Sequence, residues 1–141
     1  MARLYPIVVE KVVPAGQRVI ASFKADVASG DFNVRRLLGA AFLEDALNSA
    51  PAGTPLPLQS DSDTAATPMP TLQQVFYELK IGQDQQSAPL MMAAIGAFGA
   101  LMFEPAALPD FPEGADIQVA FTNNTTEDLN CRIEFHGTYD N

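Results

Sequence analysis

Residues 116–137 read DIQVAFTNNTTEDLNCRIEFHG, and this run constrains the fold more than any other. Ile117, Val119 and Phe121 alternate with Gln118 and Thr122. Beyond a polar run at 123–128, Cys131, Ile133 and Phe135 alternate with Arg132, Glu134 and His136. A period of two with one apolar and one polar face is the pattern of antiparallel strands covered on one side only. The spacing predicts a hairpin, 116–122 against 130–137, with 123–128 as its polar tip. Asn and Asp suit such a tip because they hydrogen-bond their own backbone and tolerate a left-handed conformation.

The same period recurs upstream. In QRVIASFKA, Val19, Ala21 and Phe23 oppose Arg18, Ser22 and Lys24. In LQQVFYELKIGQ, Val75, Tyr77, Leu79 and Ile81 oppose Phe76, Glu78 and Lys80. YPIVVEKVV is a β-branched run ending at the Pro14-Ala15-Gly16 turn signal, and DFNV sets Phe32 and Val34 against Asn33. Short strands parted by proline and glycine turns predict a mainly β chain: one antiparallel β-sandwich, jelly-roll-like, over residues 1–141.

Two stretches break the pattern. In RRLLGAAFLEDALNSA, Leu38, Phe42, Leu43 and Leu47 recur at the helical period, which predicts one short helix; a strand continuing through 37–43 is the rival. Residues 50–71 hold five of the eleven prolines and little periodicity, so they predict a long Pro-rich surface loop or arm. The small-residue part of the run 90–103 favours strand or extended structure, since Gly96 and Gly99 weaken a helix.

With 48% hydrophobic residues, the 141-residue chain can bury a core without staples, and its single cysteine cannot form an internal disulfide. Cys131 therefore reads as a small apolar core residue. The N-terminus lacks an uninterrupted apolar segment of the secretory kind, and the 14-residue apolar run at 90–103 falls short of the roughly 20 residues needed to span a bilayer. The net charge of −9 divides into +3 over residues 1–36, −5 over 37–103 and −7 over 104–141. An acidic chain without clustered bases points away from direct nucleic-acid binding. The basic first third beside an acidic last third suits either head-to-tail contact between copies or a plain solvated surface.

No residue arrangement spells out a reaction. NNTT holds two overlapping glycosylation sequons, at Asn123 and Asn124, but a polar turn explains them without secretion. SDSDT at 60–64 has the carboxylate spacing of a calcium loop without its glycine or closing glutamate. His136, the only histidine, cannot build the usual zinc site; it shares the polar face of its strand with Glu134 and Arg132 and fits a cross-strand ion-pair role. No nucleophile elbow or phosphate-cradling glycine loop is present, so the reading is non-enzymatic, with no catalytic residue, metal or cofactor.

About two thirds of the chain, chiefly its closing part, carries a resemblance. A proline-broken approach (PAALPDFPEG), a strand ending in Phe121-Thr122-Asn123, a polar tip and a final strand through His136-Gly137 resemble the end of small virion structural proteins of tailed bacteriophages. DFNVRRLLGA is similar to a strand those proteins place after their first hairpin. The resemblance implies a jelly-roll-like sandwich acting in several copies as a head decoration, or cement, protein. Its partners would be the major capsid protein and copies of itself. It would sit on the capsid surface of the virion, after assembly in the host cytoplasm. Arg3 and Lys11 of the basic third and Pro55, Pro57, Pro68 and Pro70 of the arm are the candidate contacts. A tail, fibre or head-vertex component, or a small β-sandwich binding module, remains the alternative.

Overall fold

The computed structural model describes residues 4–25, 30–58, 69–82, 84–85, 90–92 and 110–140. These residues are mainly β. Nine strands follow in order: β1 Tyr5–Val13, β2 Arg18–Lys24, β3 Asp31–Leu43, β4 Val75–Ile81, β5 Asp84–Gln85, β6 Leu90–Met91, β7 Asp110–Phe111, β8 Asp116–Asn123 and β9 Leu129–Asp140. A single 3₁₀ turn, Leu72–Gln74, leads into β4. One sheet has the order β1-β9-β3-β7; the other has β2-β8-β4-β5, with β6 also on β4. Every pairing between these strands is antiparallel.

The alternating residues form a common core between the sheets. Val75, Ile117, Val119 and Phe121 are fully buried from one sheet, and Leu129, Cys131, Ile133 and Phe135 from the other. An aromatic cluster fills one end: Phe111 meets Phe135 at 5.0 Å edge to face and Phe23 at 5.9 Å, and Phe32 meets Tyr139 at 5.0 Å. Phe23 comes from the second sheet and the others from the first, so the cluster joins the two.

The closing segment departs from the expected hairpin. Both strands form and both apolar faces are buried, but the strands do not pair with each other. β8 lies between β2 and β4, whereas β9 lies between β1 and β3 in the other sheet. The apolar faces meet across the core, and 124–128 is a corner between sheets. Alternation states which face is buried and is silent on which strand lies alongside.

Asn123 fixes that corner. Its buried amide donates to the Val13 carbonyl at 2.9 Å and to the Glu127 carbonyl at 2.8 Å. Its Oδ1 accepts from the Thr125 N–H at 2.9 Å, with the Thr125 hydroxyl 2.7 Å away. The Ala15 N–H donates to Asp128 Oδ1 at 2.9 Å, so the β1–β2 turn is tied to the same corner.

The expected helix is also absent: 37–43 is strand. β3 carries a bulge between Val34 and Arg36, where one extra residue shifts its register on β9. The buried set runs Phe32, Val34, then Leu37, Ala41 and Leu43, changing phase at the bulge. Beyond the bulge, Leu38 and Phe42 on the outer face and Leu43 on the buried one put apolar residues on both faces, and that spacing imitates a helix. Gly137 lies opposite this irregular stretch, and a Cβ there would fall 2.2 Å from the Asn33 carbonyl oxygen. Only glycine permits that approach of backbones.

Both described ends of the Pro-rich stretch are tied to the domain. Leu56 is buried and its N–H donates to Ala41 O at 2.9 Å, Pro55 bridges to Phe42, and Pro57 O accepts from Leu72 N at 3.0 Å. Pro70 and Thr71 are buried. Residues 59–68, including the SDSDT motif, lie outside the described residues, as do 93–103 of the apolar run.

Candidate functional site

The outer face of the first sheet carries a connected row of polar side chains: Glu10, Arg36, Asn130, Arg132, Glu134 and His136. Because β9 alternates, Asn130, Arg132, Glu134 and His136 all point away from the core. The register sets Glu10 of β1 beside Arg132, and the β3 bulge delivers Arg36, rather than Arg35, to His136. Arg36 carries only donors, so its 3.1 Å contact makes His136 Nδ1 the acceptor. Nε2 is then the protonated nitrogen and donates to Glu134 Oε1 at 3.0 Å. Arg132 Nε sits 3.0 Å from Glu134 Oε2, but its N–H is not aimed at that oxygen, so the contact is an ion pair without a formed hydrogen bond. The His136 hydrogen bond, with Arg132 beside it, holds the Glu134 carboxyl below its ordinary range against the opposing effect of partial burial.

Apolar residues flank this polar row on both sides. Val8 and Val12 of β1 lie across from Glu134 and Asn130, and Leu38, Ala40 and Phe42 of β3 lie across from Glu134, Arg132 and Asn130. Leu38, Ala40 and Phe42 border a shallow groove of about 420 Å³ with Arg132 and Glu134 on its other wall. A second depression of about 280 Å³, bordered by Arg18, Ile20, Glu78 and Lys80, lies on the outer face of the other sheet.

These arrangements suit surface recognition. Both ring nitrogens of His136 are occupied, and Cys131 lies on the opposite, buried face, where burial pushes its thiol up to about 12. Such a thiol carries almost no thiolate at neutral pH. Among the described residues, no group of three or more His, Cys, Asp and Glu is placed to hold a metal ion, and no helix is long and apolar enough to cross a membrane. The sequon at Asn123 is sealed within the corner; Asn124 is exposed, with its backbone N–H on Gln74 O.

The expected contact residues scatter. Lys11 is exposed on β1, at one edge of the first sheet. Pro55 is exposed and Pro57 half-buried beyond β3, about 14 Å away if counted as three strand spacings. Pro70 is buried and turned to the domain's own packing, and Arg3 and Pro68 lie outside the described residues. Sequence reasoning did not single out the exposed apolar residues of β1. The available signal was that YPIVVEKVV carries apolar residues on both faces, where other strands show a polar one. Compared with known proteins, the chain matches no family model and no curated protein.

Proposed function

We propose that the protein is a non-enzymatic virion structural protein of a tailed bacteriophage, a head decoration protein that binds and stabilises the major capsid shell. In this reading the two sheets form a jelly-roll-like β-sandwich, and the outer face of the first sheet meets the shell, with exposed Pro55 and the edge residue Lys11 beside it. One observation carries it. The short patterns behind the resemblance fall where this fold demands those residue types. Asn123 of the Phe121-Thr122-Asn123 pattern bonds across the corner, and Gly137 of the His136-Gly137 pattern sits where no Cβ fits. Patterns anchored in backbone geometry favour a shared fold over chance similarity of surface residues.

A decoration protein binds through many modest contacts, because repeated attachment to one shell multiplies weak patches. Purified protein should co-sediment with shells stripped of it, at a copy number matching the shell subunits, and should raise the temperature at which they burst. A copy number matching a tail or a single vertex would transfer it to another part of the particle. Absence of binding to any shell of its source would end the proposal.

A further inference from the structure

β1 stands at the end of the first sheet, and among the described residues nothing pairs with its outer edge. Natural proteins protect such edges by keeping them short, bulged, or charged. β1 has only part of this protection: it carries Pro6, Glu10 and Lys11, but it is neither short nor bulged. It is nine residues long and pairs with β9 in unbroken register over its whole length. Of the six large apolar residues exposed among the described residues, Leu4, Tyr5, Val8 and Val12 belong to this strand or immediately precede it, each 42–48% exposed. Its proline, Pro6, removes at most one donor from the edge, a position edge strands tolerate.

We propose that this edge pairs antiparallel with β1 of a second copy, about a two-fold axis at Val8. The strand's own residues select the register. Even-numbered residues of β1 face outward, so a continuous sheet requires opposed residues of the same parity. An axis at Glu10 or Lys11 sets like charges face to face, which destabilises a pair. An axis at Val9 opposes Ile7 to Lys11 and brings the two Glu10 carboxylates onto a diagonal. An axis at Ile7 opposes Val12 to residue 2, which lies outside the described residues. The axis at Val8 sets Val8 on Val8, Ile7 on Val9, Pro6 on Glu10 and Leu4 on Val12. It also sets the Lys11 ammonium beside the Tyr5 ring, a favourable cation–aromatic contact. The four exposed apolar residues are then all covered and no charge meets its like. The two outer faces, with their grooves, become one eight-stranded surface.

The inference rests on the edge and not on the decoration reading, and its test needs no shell, so either can fail alone. Sedimentation equilibrium of the full chain should show a dimer. Val8→Lys, which places two ammoniums at the axis, should weaken association by about tenfold or more. Val8 is 43% exposed, so the variant should keep the wild-type circular dichroism and melting curve; Val12→Lys is the second variant should it not. Directly opposed residues sit about 4.5–5.5 Å apart at Cα, within reach of a disulfide. Val8→Cys should therefore cross-link the dimer under mild oxidation, while Ile20→Cys, 47% exposed on β2, should not. Buried Cys131 stays silent. A chain that stays monomeric across the micromolar range overturns the proposal. So does a dimer indifferent to both lysines, or equal cross-linking at both cysteine positions.

Discussion

Replacing Asn123 tests whether the corner between the sheets is held as the structure indicates. In Asn123→Ala the Val13 carbonyl and the Thr125 N–H lose their partner in a buried setting. The Glu127 carbonyl keeps the Thr125 hydroxyl at 3.0 Å and is only partly buried, so it is left out of the count. Two buried groups left unpaired cost about 1–3 kcal/mol each, or roughly 2–6 kcal/mol together. Against a typical domain stability of about 5–15 kcal/mol, that is a large fraction.

Asn123→Asp sharpens the test because it preserves shape. The carboxylate still accepts from Thr125 but points an oxygen at the Val13 and Glu127 carbonyls, where the amide donated. A buried carboxylate facing two carbonyl oxygens has a folded-state pKa raised above its unfolded value of about 3.9. The variant's deficit relative to wild type is therefore smallest below the unfolded pKa, where the protonated carboxyl can donate to one carbonyl. It grows as pH rises and levels off above the folded pKa. Urea melts of wild type and both variants at matched pH values measure this directly. A loss below about 1 kcal/mol for Asn123→Ala, or an Asn123→Asp deficit that ignores pH, would refute the reasoning.

Phe121→Ala and Phe135→Ala each remove a fully buried ring and should cost about 3–5 kcal/mol in denaturant melts, whereas His136→Ala, half-buried with two partners, should cost less than about 2 kcal/mol. Gly137→Ala forces a methyl against the Asn33 carbonyl and should cost at least about 2 kcal/mol, or displace the β3 bulge, as amide chemical shifts around 32–37 would reveal. Glu134 has its folded pKa lowered, first by the His136 hydrogen bond, so its contribution is full above the unfolded value of about 4.3 and is lost as pH falls through the folded one. Glu134→Gln should therefore flatten stability against pH in that acid window and leave the slope at neutral pH unchanged. The Cys131 thiol, pushed up to about 12, should react with a thiol reagent only as fast as the domain unfolds, and rapid labelling of the native protein would contradict its burial.

Alternation was a sound guide wherever the ladder is regular. The buried faces of β2, β4, β8 and β9 follow it, with Ala120 of β8 buried on the other face as well, and Cys131 falls in the core as its parity requires. The method failed at two points for separate reasons. At β3 apolar residues stand on both faces beyond the bulge, and apolar spacing alone cannot tell such a strand from a helical turn. At β8 and β9 the face is right and the neighbour wrong. A five-residue link reaches both the roughly 4.8 Å to an adjacent strand and the roughly 10 Å to a facing sheet. What separates the alternatives is Asn123 bonding back to Val13, and that contact joins residues 110 positions apart.

The candidate site was legible only in its polar half, and the reason bears on where partners bind. Polar residues stand out in a sequence, but the most conspicuous of them, Asn123 and Thr125, spend their hydrogen bonds on one another and on backbone, leaving little capacity for a ligand. His136 is likewise occupied on both nitrogens. The unused binding capacity of the described domain lies instead in Leu4, Val8 and Val12, and in the outer edge of the strand that carries them. Apolar area left in water favours burial at about 25 cal/mol per Å², and an open edge offers a row of backbone donors and acceptors to whatever covers it. A β-branched run such as YPIVVEKVV looks in sequence like any core strand. Its second apolar face can be read in the sequence, but that the face stays uncovered shows only when the sheet order places the strand last and nothing among the described residues covers it.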